Sequence, residues 1–395
     1  MNSLMEFRDE APVRVESTLC ARFRSTKSKC AACALVCPVP GAIHLDEDGA
    51  EVKAACVGCG ACASACPNGA IRPRQEDDIR LDDGRFTARI RERVRAGATF
   101  RFACDMAQGQ ADMVLPCLSR LTEALVLEPL RGGAERVELM APDCAACGLR
   151  KAAPQWQKVM DFSRALCETA GLEATRVESV RVPSGKAVET RPPEKAGGSR
   201  RAMFRSMAER WEASGTAPDA TAEAAEPTPP EAFRDIVQRH SDNPKRVALL
   251  DVLDALPGVK PVPSVATSVV LADGIPLAQL EVDHRCVGCS VCETLCPVGA
   301  LKHRDEGETY VLELDAARCT GCRVCEVVCY HQAIHLRDTV DLALLFERPR
   351  VTLVSATKRT CSACREPFLG AASEFCPACR LSGDRRETIA RRFFL

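Results

Sequence analysis

Apolar and polar positions along this chain follow three rhythms, and each predicts a different kind of structure. Between Asp82 and Val182 helical and extended periods alternate. Asp82 and Asp83 can cap a basic helix that runs to about Ala96 and ends at Gly97, after which ATFRFAC reads as a strand. DMVLPC predicts a second strand, LSRLTEALVLEPLR an apolar helix closed by Gly132 and Gly133, and VELMAPDC a third strand. A helix from about Gln155 to Ala170, ended by Gly171, and a last strand, RVESVRV, complete a pattern that argues for a small, largely parallel sheet with helices packed on it.

The other two rhythms flank this one. GAIHLDEDGAEVKAAC reads as a hairpin turning at Asp48-Gly49. PSGKAVETRPPEKAGGSR and GTAPDATAEAAEPTPPEA hold too little apolar content for a core and predict a flexible linker, which would let the two halves be positioned separately. Between them RRAMFRSMAERW places Phe204, Met207, Ala208 and Trp211 on one helical face, with Arg200, Arg201, Arg205 and Arg210 supplying charge. NPKRVALLDVLDAL predicts a further helix, and RRETIARRFFL a short basic amphipathic one.

Length, at 395 residues, argues for roughly two to four domains. No stretch approaches the roughly 18 apolar residues of a membrane span, and MNSLMEFRDEAPVRVES has neither an apolar core nor a small-residue cleavage site, so a cytoplasmic protein without membrane insertion is expected. A net charge of −1 with 4% aromatic residues gives no footprint for nucleic acid and leaves proteins as the expected partners. The 25 cysteines change the picture most, because they fall in sets at ligand spacing and not in the scatter of a secreted disulfide scaffold.

CVGCSVCETLCPVGA, from Cys286, and RCTGCRVCEVVC, ending at Cys329, space their thiols at two, two and three intervening residues. CVGCGACASACPNGAI repeats the run with Cys56, Cys59, Cys62 and Cys66. CAACALVCPVPGAI supplies Cys30, Cys33 and Cys37, but Lys27 stands where the first thiol belongs. These runs resemble the dicluster modules of bacterial-type ferredoxins, present twice. The resemblance implies four [4Fe-4S] clusters, the fourth cysteine of each run serving the neighbouring cluster. One cluster would then be held by Cys286, Cys289, Cys292 and Cys329, and its neighbour by Cys319, Cys322, Cys325 and Cys296. In the first module Cys56, Cys59, Cys62 and Cys37 would hold one, and Cys20, Cys30, Cys33 and Cys66 the other; a three-iron cluster with Cys20 free is the alternative. Pro38, Pro67 and Pro297 follow their cysteines, but Tyr330 stands in the corresponding place, so backbone direction and hydrogen bonding beside Cys329 are expected to differ. Zinc also favours Cys-x2-Cys pairs but has no use for a third cysteine at the same step.

Four more thiols, Cys104, Cys117, Cys144 and Cys147, lie at or just past the carboxyl ends of the apolar strands, where open α/β sheets put their ligand sites. LPCLSRL…GGAERVELMAPDCAAC resembles the delta-subunit family of methyl-viologen-reducing hydrogenases, which implies a further [2Fe-2S] or [4Fe-4S] cluster and coupling to hydrogenase and heterodisulfide reductase. Cys104 lacks the paired thiol usual in that family, and the loop from Asp105 to Gln110 is short for a parallel crossover. The plainer reading keeps Cys104 and Cys117 as small core residues and leaves Cys144 and Cys147 as a redox or catalytic thiol pair. Cys167 reads as core.

Near the C-terminus Cys361 and Cys364, then Cys376 and Cys379, form two Cys-x2-Cys knuckles eleven residues apart. A zinc-ribbon-like site for one structural Zn is expected, with a rubredoxin-like single iron as the alternative, and the metal would supply most of the folding energy of so small an element. The whole reads as an α+β multidomain chain: ferredoxin-like dicluster modules at 1–80 and 243–340, an α/β domain at 81–182, a flexible linker at 183–242 and the ribbon-like tail at 341–395. No Gly-x-Gly-x-x-Gly precedes a helix, and there is no P-loop and no Cys-x3-Cys-x2-Cys run. The expected role is therefore electron transfer, as a polyferredoxin-like subunit of anaerobic metabolism, not catalytic alone. It would serve formate dehydrogenases, hydrogenases or heterodisulfide-reductase-type complexes. A cluster carrier or maturation factor is the alternative.

Overall fold

The computed structural model describes residues 10–75, 81–189, 233–257, 269–271, 275–370 and 373–383. Strand β1 (Val13–Val15) leads through α1 (Ala21–Arg24) and α2 (Ala32–Val36) into a hairpin of β2 (Ile43–Leu45) and β3 (Ala50–Val52). The hairpin turns where Asp48-Gly49 predicts it: the Asp46 N–H bonds Gly49 O, and Gly49 takes φ +138°, a region open to glycine. Helix α3 (Ala61–Ala65) and β4 (Ile71–Pro73) close the module, β4 lying antiparallel to β1 with Val13 opposite Pro73.

Next comes a mixed helix and strand domain. Helix α4 (Asp83–Arg93) begins at Asp82, whose carboxylate accepts the Arg85 N–H. It is followed by β5 (Thr99–Cys104), β6 (Gly109–Ala111), β7 (Met113–Leu115), α5 (Glu123–Arg131), β8 (Arg136–Ala141), α6 (Ala153–Thr169), β9 (Val177–Arg181) and β10 (Ala187–Glu189). The sheet has the order β7-β5-β8-β9 and is parallel throughout. Phe100, Phe102, Val137 and Leu139 from the strands meet Leu125, Leu130, Phe162 and Leu166 from the helices in one core, which also buries Cys167 completely.

Two stretches depart from expectation. The segment from Asp105 to Gln110 is too short for a helical crossover, and the chain turns back at once, the Ala107 N–H bonding Cys104 O. It then sends β6 away from the main sheet to pair with β10. Strand β10 lies in a stretch whose composition predicts linker. It is held by Glu189, whose carboxylate is bound by Arg89 at 2.7 Å and by Arg93 at 2.8 Å.

The C-terminal half runs through α7 (Phe233–Gln238), α8 (Pro244–Asp254), β11 (Val269–Leu271), β12 (Leu280–Val282), α9 (Val291–Thr294), β13 (Leu301–Glu306), β14 (Thr309–Asp315), α10 (Val324–Val328), β15 (Ile334–Leu336), β16 (Thr339–Asp341), α11 (Leu344–Glu347), β17 (Arg350–Thr360) and β18 (Pro367–Leu369). Strand β12 pairs antiparallel with β15, as β1 does with β4, so the repeat in sequence is a repeat in fold.

The halves are not separately positioned, against the expectation drawn from the linker. Helix α8, capped by Asn243, buries Leu249, Val252 and Leu253 in the core of the α/β domain. Arg24 of α1 donates to the carbonyls of Val237 and Arg239, both at 2.6 Å. Nor is residue 340 a break: β17 extends the β13–β14 hairpin and carries β18, giving one sheet of order β13-β14-β17-β18. The predicted helices at 200–211 and 385–395 lie outside the described residues. Among the described residues no helix is long and apolar enough to cross a membrane.

Candidate metal centres

Three of the four cysteine loops are shaped by residues in the left-handed region. Gly58 and Gly60, Gly288 and Ser290, and Gly321 and Arg323 flank the middle cysteine of three loops, all with φ between +57° and +76°. Successive left-handed turns aim backbone N–H groups into the concavity, which suits a negatively charged occupant. The first loop differs: Ala31, where Gly60 stands in the repeat, has φ −136°.

Past the loops, the Ala70, Ala300 and Ala333 N–H groups each donate to a sulfur at 3.3 Å, those of Cys66, Cys296 and Cys329 respectively. Tyr330 therefore leaves the bond beside Cys329 intact, contrary to expectation, because the donor is the residue four places on and not the one in the proline position. Cys37 is the exception. Its Pro-Val-Pro-Gly segment is one residue longer, and the Cys37 Sγ–H instead donates to Val39 O at 3.4 Å.

The thiols converge across the repeated runs. One cavity is lined by Cys296, Cys319, Cys322 and Cys325, and another by Cys37, Cys56, Cys59 and Cys62. Burial pushes the Cys33 thiol up to about 12, with Cys66, Cys30 and Cys20 adding to the rise. Burial does the same at Cys292, again to about 12, helped by Cys289, Cys286 and Cys329. Four thiols that oppose one another's ionisation need positive charge to ionise together, which a metal centre supplies. All 25 cysteines are free thiols.

Separation distinguishes these sets from a single-ion site. Sulfurs around one tetrahedral zinc lie about 3.8 Å apart, given Zn–S bonds of about 2.3 Å. Among the described residues, only Cys361, Cys364, Cys376 and Cys379 bring their ligand atoms within 4.8 Å of one another, Cys364 Sγ and Cys376 Sγ being 3.8 Å apart. N–H groups of Cys364 and Cys376 depress the Cys361 thiol to about 6, while hydrogen bonding with the neighbouring thiols of Cys364 and Cys376 raises Cys379 to about 12. This group could bind one metal ion. It does not stand alone: Phe368 and Leu369 are buried, and Leu369 packs into the core beneath the Cys286 loop.

In the α/β domain Cys104 ends β5, Cys117 precedes the turn into α5, and Cys144 and Cys147 follow β8. Burial raises Cys104 to about 11, and Cys117, Cys144 and Cys147 all act on it, so the sheet does bring these four to one place. Burial raises the Cys144 thiol, and Trp156 of α6, buried with no N or O acceptor for its Nε1–H, faces that sulfur closely enough to oppose the rise. A buried donor directed at a thiol fits a ligand sulfur better than an inert core cysteine. Cys117 also acts on Cys59 of the first module, with which it packs around Ala61 and Ala152.

The comparisons with known families agree with the loops. Residues 285–333 match the model of the 4Fe-4S dicluster domain, and residues 52–72 match that of the 4Fe-4S binding domain. The chain carries ferredoxin-type 4Fe-4S domains. Neither match extends to Cys20, Cys30, Cys33 or Cys37, to the α/β domain or to the tail. A search of curated proteins found no match.

Four residues around these ferredoxin-type sites have no signature in sequence. Arg24 and Arg246 are buried beside the Cys296 set, and burial lowers both guanidinium pKa values, that of Arg246 to about 10. Asn68 Oδ1 accepts from Thr320 Oγ1 at 2.5 Å, tying the proline turn after Cys66 to the loop between Cys319 and Cys322.

Proposed function

We propose that the chain is an electron-transfer subunit with five iron–sulfur centres in a single row. Cys104, Cys117, Cys144 and Cys147 hold the first, a [2Fe-2S] or [4Fe-4S] cluster. Four [4Fe-4S] clusters follow, on Cys56, Cys59, Cys62 and Cys37; on Cys20, Cys30, Cys33 and Cys66; on Cys319, Cys322, Cys325 and Cys296; and on Cys286, Cys289, Cys292 and Cys329. Cys361, Cys364, Cys376 and Cys379 hold a structural zinc. Bound clusters of this kind supply one-electron storage at low potential.

The observation that carries this reading is that three neighbouring pairs of sets lie close enough for their thiols to act on one another, and that a hydrogen bond joins the loops of the remaining pair. Cys117 acts on Cys59, Cys33 on Cys62, and Cys292 on Cys325, while the Asn68–Thr320 bond joins the two modules between the second and third links. In this reading the α/β centre is an end of the row and not a branch. Of the twenty thiols in the row only Cys289 is exposed, at the other end, where Tyr330 is also 85% exposed. A protein redox partner such as a formate dehydrogenase, a hydrogenase or a heterodisulfide-reductase-type complex would dock there, and a second at the α/β end. A carrier that surrenders its clusters would need more open ligands.

Metal analysis of anaerobically purified protein tests the reading. It should give about sixteen irons from the two modules, two to four more from the α/β site, and about one zinc. Iron at half that or less, with zinc making up the balance, defeats it.

A further inference from the structure

Two buried cations converge on one of the five thiol sets, and they come from different parts of the chain. Arg24, 1% exposed, reaches in from α1 of the first module, and Arg246, 5% exposed, from α8 on the α/β domain. Arg24 donates to three neutral carbonyls, those of Thr18, Val237 and Arg239, each at 2.6 Å. Arg246 Nη2 donates to Pro276 O and to Cys319 O, the latter at 3.2 Å, and its Nη1 has no partner. Among the described residues neither forms a salt bridge. The charges of Cys296 and Cys322 act on Arg24, and on Arg246 that of Cys319 acts ahead of the buried Glu123 carboxylate, so both cations face the same set.

Buried, unpaired guanidinium groups are costly and persist where something negative compensates them. Among the described residues the other sets lack such a pair: Arg120, buried against the Cys59 loop, is neutralised by Asp83. Arg285, beside the Cys286 loop, is partly exposed and neutralised by Asp283, while Arg22, which acts on Cys30, is only half-buried.

We infer that Arg24 and Arg246 set the reduction potential of the centre held by Cys296, Cys319, Cys322 and Cys325, raising it by stabilising the reduced form. The inference rests on the reading above. Four thiolates around a cationic iron–sulfur core leave a negative complex, and one electron taken from an external donor makes it more negative. Burial alone disfavours the more highly charged state, as it does for any buried ion. The two arginines offset that penalty without a proton or an exchangeable counterion. Because each belongs to a different domain, this centre reaches its working potential only in the assembled chain.

The test is a potentiometric titration with dithionite, followed by electron paramagnetic resonance, on the full chain and on Arg24→Gln, Arg246→Gln and the corresponding lysine variants. A unit charge about 10 Å away at an effective dielectric of about 20 shifts an equilibrium about tenfold. Each glutamine variant should therefore lower the potential of one centre by about 59 mV, a tenfold change for one electron. Both should move the same signal, the one altered by Cys322→Ser, and the lysine variants should leave it near its original potential. Loss of that single cubane from a glutamine chain, with its retention at the original potential in the lysine chain, also supports the assignment. Unmoved potentials, different signals for the two arginines, or an equal drop on substitution by lysine overturn it. Purified protein that contains no cubane signals overturns instead the reading on which it rests.

Discussion

At the scale of single residues, the cysteine loops depend on backbone conformations that few residues accept. Gly60 is the sharpest case: with φ +76°, a Cβ there would overlap the Arg120 side chain, which is itself buried, bonded to Leu81 O at 2.8 Å and paired with Asp83. Gly97 has a similar φ of +70°, but a Cβ would meet nothing within 4 Å. Gly97→Ala should therefore cost only the left-handed penalty of about 1–2 kcal/mol, while Gly60→Ala should cost about 3 kcal/mol or more, because the clash displaces the buried Arg120 guanidinium from its half-buried partner Asp83. Denaturant unfolding of the two variants against the parent chain measures the difference; equal losses would mean that Arg120 yields freely. Trp156 offers a second residue-level test. Trp156→Phe keeps an aromatic ring in the core and removes the N–H that faces Cys144, so iron content should stay unchanged while the potential of the proposed α/β centre falls. An unaltered potential would make Trp156 a packing residue and nothing more.

At the scale of elements, the sequence was clearest where chemistry dictates spacing. The cysteine loops, the Asp48-Gly49 hairpin, the Asp82 cap and the parallel strands of the α/β domain all lie where pattern and turn chemistry place them, because each depends on residues close together in the chain. Strands β10 and β17 were not legible. Three residues of β10 sit in a stretch whose composition is that of a linker, and Glu189 is held by arginines about a hundred positions away. Strand β17 reads locally as the start of a separate ribbon, yet residues 350–357 pair with β14 and only 358–360 pair with β18. This division predicts how the tail responds to loss of its metal. If the Cys361 group holds the proposed zinc, a chelator that empties it should abolish hydrogen-exchange protection at 358–369, where the metal would supply the folding energy, and leave 350–357 protected by the sheet. Simultaneous loss of both segments would mean that the ribbon supports the module and not the reverse.

At the scale of the whole molecule, the domains are joined by polar contacts that no local pattern announces. Arg24 and Lys245 bind backbone carbonyls, which any residue could supply, so neither the partner nor the existence of the contact can be read from sequence. A side-chain pair that joins the two cysteine modules is Asn68 with Thr320, both buried. Asn68 Nδ2 also donates to Leu19 O at 2.9 Å, so the amide is spent on both sides of the junction. Removing either partner of a buried hydrogen bond strands the other and costs about 1–3 kcal/mol. Asn68→Ala and Thr320→Val should each destabilise the chain by about that much, and the double variant by clearly less than the sum, since the second change strands nothing new. Iron content should be unchanged, because no thiol is touched. If the centres form the proposed row, electron transfer between the two modules, followed as the rate at which the Cys286 end reoxidises after reduction from the α/β end, should slow in both single variants as the junction loosens. Strict additivity in stability together with an unchanged rate would show the two loops to be neighbours without a working connection, and the row of centres would then have to be continuous by some other route.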